Sequence, residues 1–301
     1  MFMNSLSHFI GLNTVDDPTR IGTTAVKTSE GWKTAYPLTQ ASNVEIDNSF
    51  ALKSRVGYTS KLTGTDIHSL WSDGSTCLFV DGTILYQMHN DYSITSIRTG
   101  LMSGARMSYV AVNDRVYYTN GFQIGYVKQI ADNALMDPLL AFKLTLPAGK
   151  LIEYYKGSLY LACQNILYIA DPLCDFFDVR YGYKQFSENI SMIKAVDSGI
   201  YVSDDRIWFV KGDGPEEFER REVYDFKAIP FTDVRMNGQE IGDGVNGNVA
   251  IWTGENGICL GDNSGNVVNL TEETYLFTPH GSGSAMVREA SQILHYINTL
   301  F

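Results

Sequence analysis

The side chains able to do chemistry are scattered through this chain, not gathered. Its five histidines, His8, His68, His89, His280 and His295, make no H-x-x-x-H or H-x-H pair. Such spacing brings two imidazoles onto one face to hold a metal, so each histidine reads as a surface or hydrogen-bonded residue. The four cysteines, Cys77, Cys163, Cys174 and Cys259, make no C-x-x-C pair. Three lie in apolar runs, and they read as buried free thiols of a protein assembled in a reducing compartment.

Adjacent acids occur at Asp16-Asp17, Asp204-Asp205, Glu216-Glu217 and Glu272-Glu273. A glycosidase needs two carboxylates facing each other across a sugar. Neighbours on a strand point to opposite sides, so these pairs read as solvated turns. Ser72-Asp73-Gly74 lacks the Ser-x-Asp-x-Gly-x-Thr-Trp spacing of a sialidase Asp box. Asp262-Asn263-Ser264-Gly265 lacks the alternating oxygen ligands of a calcium loop and reads as a plain turn. The sequence contains no G-x-S-x-G, P-loop or G-x-G-x-x-G. It therefore assigns no catalytic, cofactor-binding or metal residue, and the chain reads as non-enzymatic and without a cofactor.

The elements that would position any site are strands. The stretch His68 to Met88 holds an apolar run, Cys77 to Val80, then Asp81-Gly82, then Ile84 to Met88. Asp-Gly between two apolar runs predicts a hairpin whose two turn residues take positive φ. A further strand, Ser93 to Arg98, follows. The same grammar recurs in four more units: Tyr109 to Val127, Leu151 to Ala170, Ser191 to Val210 and Val249 to Leu270. Aligning the units places Tyr86, Tyr117, Tyr160, Tyr201 and Cys259 at one position, at steps of 31, 43, 41 and 58 residues. These steps bracket the roughly 40–50 residues of a four-stranded propeller blade. Each tyrosine is expected between blades, ring in the core and hydroxyl at a wet edge.

The long last step is attributed to an insertion, Pro230 to Gly247, projecting from one face as a lid or contact. Gly212 to Arg221 (GDGPEEFERR) reads as an exposed charged loop, and Gly281 to Ser284 (GSGS) as a flexible linker. The tail predicts two strands, Ser284 to Glu289 and Gln292 to Leu300, turning at Ala290-Ser291. Asn43 to Asp47 and Ala51 to Tyr58 predict a hairpin. Paired together, these two elements would close the ring. The expected fold is thus all-β, a β-propeller of about six blades closed by strands from both termini. Residues 1–37 form an irregular N-terminal arm and residues 38–301 one propeller domain.

Composition agrees with a large folded unit. Apolar residues are 44%, charged residues 19% and aromatics 12%, a globular balance that favours strands. The net charge of -11 argues against coating nucleic acid, which draws on clustered Lys and Arg. It leaves room for a wall past which DNA slides without sticking. The start, MFMNSLSHFIGLN, has no basic region or long apolar run of a signal peptide, and no apolar run reaches membrane-spanning length.

One stretch carries a family resemblance. Gly11-Leu12-Asn13-Thr14-Val15 leads into Leu38-Thr39-Gln40-Ala41-Ser42-Asn43-Val44-Glu45-Ile46-Asp47-Asn48, then Lys53-Ser54-Arg55-Val56-Gly57-Tyr58. This resembles the opening of tailed-bacteriophage virion proteins of β-propeller type. The likeness is to the tail nozzle family, also called tail tubular protein B or packaged-DNA stabilisation protein, and it covers roughly residues 11 to 60. Phe50 and Ala51 stand where that pattern prefers Gly and a basic residue. The chain is also shorter than such nozzles and has no large inserted platform domain. The resemblance implies a homo-oligomeric ring in the virion tail, assembled in the host cytoplasm. It would contact neighbouring tail or adaptor proteins, and DNA would pass without sequence-specific binding. Two other readings stay open. One is a receptor- or glycan-binding propeller with Trp71 or Trp252 lining a pocket. The other is a propeller hydrolase or lyase using carboxylates in the central channel.

Overall fold

In the computed structural model, residues 8–12, 22–40, 44–46, 49–54, 59–241, 245–273, 279–289 and 292–299 are described. Five sheets share one plan, a four-stranded antiparallel meander in which each strand pairs with the next. Blade 1 comprises Ile67–Ser72, Cys77–Asp81, Ile84–Met88 and Ile94–Arg98. Blade 2 comprises Ser108–Val112, Arg115–Thr119, Ile124–Lys128 and Ala131–Asn133. Blade 3 comprises Leu151–Tyr155, Ser158–Cys163, Ile166–Ile169 and Tyr183–Gln185. Blade 4 comprises Met192–Val196, Gly199–Ser203, Ile207–Lys211 and Glu219–Tyr224. Blade 5 comprises Val234–Asn237, Asn248–Gly254, Gly257–Gly261 and Val267–Asn269. A terminal ribbon, Pro279–Glu289 with Gln292–Thr299, follows blade 5.

The cores lie between blades, not within them. One apolar cluster joins Leu78, Val80 and Leu85 of blade 1 to Val116, Tyr118 and Val127 of blade 2. Others join blade 2 to 3, 3 to 4, and 4 to 5, and the last joins blade 5 to Ala285 of the terminal ribbon. The first strands of blades 2 to 5 pack successively against one another and so face the axis. This is a β-propeller. Its second strands are covered on both faces, so they read as continuous apolar runs, not alternating ones. The second strand of blade 4 is buried at every position, while the outer strand of the same blade is mostly exposed. Close approach is secured at Gly261, where a Cβ would lie 2.5 Å from the ring of Tyr201. That glycine lets blade 4 seat its tyrosine against blade 5.

The blade registers correct the tyrosine alignment. Tyr117, Tyr160 and Tyr201 are indeed equivalent, each central in a second strand opposite Val110, Glu153 and Lys194. Tyr86 and Cys259 instead lie in third strands, paired with Phe79 and Trp252. The slip arose because the first strands of blades 1 and 5 are weakly apolar. IHSLWS is bulged and half exposed, and VRMN alternates buried and exposed. Hence Cys77 to Met88 is the middle of blade 1, and the supposed insertion Pro230 to Gly247 contains the axial strand of blade 5.

Three further expectations change. The N-terminal segment is not an irregular arm, since Phe9–Leu12, Thr24–Thr28 and Gly31–Leu38 form a three-stranded sheet. The GSGS segment is not a linker, because it lies within a strand of the terminal ribbon. The predicted hairpin is present as Val44–Ile46 with Leu52–Ser54. Among the described residues it bonds to the N-terminal sheet, Phe9 N donating to Phe50 O at 2.8 Å, and its strands pair only with each other. Asn13 to Val15, Ala41 to Asn43, Asp47-Asn48 and Arg55 to Tyr58, which carry much of the family resemblance, lie outside the described residues. So do Asp16-Asp17, Ala290-Ser291 and Leu300.

The first hairpin turns at Gly82-Thr83, since Asp81 pairs with Ile84. Only Gly82 takes positive φ, 62°, which fits a turn with glycine at its first central position. Asp81 ends the strand and accepts from Thr65 N and Asp66 N at 3.1 and 2.8 Å. No atom lies within 4 Å of a Cβ built at Gly82, so a substitution there meets backbone strain alone. Gly82→Val is expected to destabilise the protein by about 1–2 kcal/mol, read as a lower midpoint in urea unfolding. An unchanged midpoint would contradict this turn geometry.

Candidate functional site

Two places combine unusual geometry with charge or exposed apolar surface: the axial hub and a corner of blade 3. At the hub, equivalent positions on neighbouring first strands carry Glu153 in blade 3 and Lys194 in blade 4, and Asp233 directly precedes the first strand of blade 5. Lys194 Nζ lies 3.1 Å from Glu153 Oε2 and 2.8 Å from Asp233 Oδ2. The remaining oxygen of Glu153, Oε1, accepts from Tyr154 N at 2.9 Å. Burial disfavours the charged ammonium, but the two carboxylates together outweigh it and hold its pKa above the ordinary lysine value. Lys194 is therefore a cation, without the free amine a nucleophile needs. It also fills the gap between the two carboxylates, where a glycosidase would place its sugar.

Other sequence candidates are dispersed. Asp204 is buried and closes a turn of blade 4. It accepts from Ser187 Oγ at 2.7 Å, Trp208 Nε1 at 2.8 Å and Arg206 N at 3.3 Å. Its expected solvated character is thus wrong, whereas Glu216, Glu217, Glu272 and Glu273 are exposed as read. Asp262 accepts from Ser264 N and Asn266 N, the plain turn expected. Glu219 to Arg221 of the charged loop are exposed, but they belong to the outer strand of blade 4. Trp252 cannot line a pocket, being fully buried and packed on Tyr201 at 5.4 Å, and Trp71 stacks on Tyr109 at 5.8 Å. Cys259 is buried, and burial raises its thiol pKa to about 11. The other three cysteines are only half-buried, and all four are free. His68 bonds Ser69 and His89 bonds Thr95. Among the described residues no group of three His, Cys, Asp or Glu could hold a metal ion, and no helix is long and apolar enough to cross a membrane.

The corner of blade 3 was invisible to motif reading. Two excursions meet there as a short ribbon, Lys143–Thr145 with Phe176–Asp178. Asp178, fully buried, takes a two-point bond from Arg180, Nε at 2.8 Å and Nη2 at 2.6 Å, and lies 3.2 Å from Lys143 Nζ. These contacts, Arg180 foremost, hold its carboxyl far below the usual range. Leu144 of the ribbon and Met136, Leu139, Leu140, Phe142 and Leu173 of the segments leading into it are exposed to solvent, Leu139 and Leu173 by 89% and 78%. Leu139, Phe142 and Leu173 also have positive φ, at 47°, 63° and 59°. Left-handed backbone costs an ordinary residue roughly 1–2 kcal/mol. Here ordered bonds sustain it, Val179 N to Phe142 O and Leu173 N to Gly157 O, at 2.9 and 2.7 Å. The apolar surface is held in place, not frayed.

No family model matches this chain, and no curated protein matches it. Solved structures do. The protein is similar to BBS1N, solved in complex with ARL6DN, at 13% identity over 96% of each chain with a TM-score of 0.52. It is also similar to the Pan2 WD40 domain of Neurospora crassa, at 13% identity over 73% of this chain and 68% of that one, TM-score 0.50. At such identity the likeness establishes the class, a β-propeller, and carries nothing about activity.

Two outcomes test the site. Removing Lys194 leaves two carboxylates facing each other at the hub, so Lys194→Met is expected to cost about 3 kcal/mol, the low end for breaking a buried pair. Adding Glu153→Gln and Asp233→Asn should recover most of that loss in chemical denaturation. The Asp204 pKa falls from its ordinary 3.8 to about 2, because hydrogen bonds outweigh the opposing effect of burial. A depressed carboxyl stabilises above 3.8 and loses that contribution as pH falls through about 2. Unfolding measured from pH 5 to pH 2 should therefore steepen less in Asp204→Asn than in the parent protein.

Proposed function

We propose that this chain is a structural component of a bacteriophage tail, a nozzle or tail-tip ring subunit forming part of the conduit for genome retention and ejection. The observation that carries the reading is the exposed apolar corner formed by Leu139, Leu140, Phe142, Leu144 and Leu173. Large exposed apolar side chains gathered in one region mark association sites, and these five sit on or beside the two segments that pair as one short ribbon. A closed ring needs two different surfaces that meet head to tail. The N-terminal sheet and adjoining hairpin offer the second, with Trp32 71% exposed and Ile10, Val44 and Leu52 also exposed. The occupant of the corner is therefore a second copy of the chain, engaged through its N-terminal sheet.

The resemblance of residues 11 to 60 to tail nozzle openings supports the same reading. The net charge of -11 suits a wall that must not hold DNA, since like charges repel the phosphate backbone. The function is mechanical: rigid blades keep the ring's shape, and peripheral surfaces join subunits and neighbouring tail proteins. No step of bond making or breaking is assigned to it.

Native mass spectrometry over rising concentration tests the assembly. The parent chain is expected to form a closed homo-oligomer. Leu139→Asp with Leu173→Asp should remain monomeric with an unchanged melting temperature. Cryo-EM of the purified particle should place the chain in the tail. A monomeric parent chain, or particles whose tails lack density for it, would reject the proposal.

A further inference from the structure

Blade 1 meets blade 2 across an interface unlike the next three. On the third strands of blades 2, 3 and 4, Tyr126, Ile169 and Phe209 fill the space toward the following blade, paired with Tyr117, Tyr160 and Tyr201 of the second strands. In blade 1 the matching pair is Leu78 and Gln87. Gln87 lies two residues beyond Leu85, which is buried against blade 2, so both side chains share a face. An aliphatic side chain and a carboxamide thus stand where two large apolar side chains pack elsewhere. A cavity of about 220 Å³ remains between the blades.

The cavity is polar, although the interface around it is apolar. Gln87 Oε1 is buried without a hydrogen-bond partner. Val116 and Val127 of blade 2 form the apolar side. Turns at one end of the two blades supply the rest: Asp73 and Thr76 from blade 1, Asn113 and Gln129 from blade 2. Asp73 Oδ1 accepts from Thr76 N at 2.7 Å, and from Ser75 N and Ser75 Oγ at 2.8 Å. Burial opposes the charge of Asp73, but these bonds outweigh it and keep its carboxyl below the ordinary value, an ionised acceptor. Arg115 also lines the cavity, yet its guanidinium is engaged elsewhere. It donates to the Tyr117 hydroxyl at 3.1 Å and lies 3.8 Å from Asp175.

We infer that this inter-blade cavity binds a single sugar ring, a neutral ligand carrying neighbouring hydroxyl groups. A hydroxyl both donates and accepts, which matches a wall of carboxamides, one hydroxyl and one carboxylate. The C–H face of the ring would lie on Val116 and Val127. One ring hydroxyl would satisfy the Gln87 amide, whose isolation in the interface carries a cost. The terminal torsion of that side chain is broad, so either end of the amide can meet the ligand. Asp73 repels an anion, and among the described residues no group of three His, Cys, Asp or Glu could hold a metal ion. The volume lies below the ~300 Å³ at which drug-sized pockets begin, so one ring fits and a longer chain must extend into solvent. The inference is independent of the tail reading, since it uses no surface assigned there to subunit contact.

Isothermal titration of the full chain with D-glucose, D-galactose and D-mannose, each in turn, tests it. The parent protein is expected to bind at least one of them, with an affinity unchanged as sodium chloride is raised, because the ligand carries no charge. Gln87→Leu fills the cavity with an apolar side chain and should abolish binding without lowering the melting temperature. Gln129→Ala removes an exposed amide from the rim and should weaken binding about tenfold. Should Gln87→Leu fail to fold, the Gln129→Ala result decides alone. Lys227→Gln, a surface lysine paired with Glu255, should bind like the parent. The methyl glycoside of the tightest sugar separates two sources in support of the site: retained affinity marks the terminal unit of a glycan, lost affinity a free sugar. Binding of none of the three sugars, or affinity in Gln129→Ala equal to that of the parent, would overturn the inference.

Discussion

Each four-stranded sheet in this chain has two apolar faces, and no sheet can cover its own. That constraint builds the rest. Four core clusters lie between two blades and the fifth between blade 5 and the terminal ribbon, so Tyr201 of blade 4 finds its shelter on Trp252 and Gly261 of blade 5. Polar contacts follow the same logic. Ser108 Oγ accepts from Ile152 N, Ser203 Oγ accepts from Ala228 N, and Asp197 accepts from Asn248, each across a blade boundary. Where first strands crowd the axis, Lys194 must sit between Glu153 and Asp233, because an unpaired charge there would carry a heavy desolvation cost.

The same arrangement separates what is fixed from what is offered. The hub satisfies its charges internally, Lys194 lying between Glu153 and Asp233. The periphery holds the structure's other expenditure, three left-handed apolar residues pinned above a buried Asp178. Strain maintained by ordered hydrogen bonds tends to collect where a surface is used. The proposed head-to-tail ring would use the apolar corner and the N-terminal sheet as its two unlike surfaces.

The sequence by itself determined the all-β class and the hairpins. The middle strands of each blade are continuous apolar runs bounded by turn residues, and that pattern is local. It also determined the terminal strands, the Val44–Ile46 hairpin and the equivalence of Tyr117, Tyr160 and Tyr201. Only the tertiary structure decided the rest. The axial strands of blades 1 and 5 were missed because an inner strand touches the axis on one edge and needs little apolar pattern of its own. Trp252 was taken for a surface candidate because nothing in its neighbours reveals that Tyr201, 51 residues earlier in the numbering, covers its ring. Glu153, Lys194 and Asp233 lie some 40 residues apart (one blade each), and meet only because the blades close around an axis. Electrostatic and packing partners separated by whole blades leave no periodic trace, since the chain between them is long enough to place them anywhere.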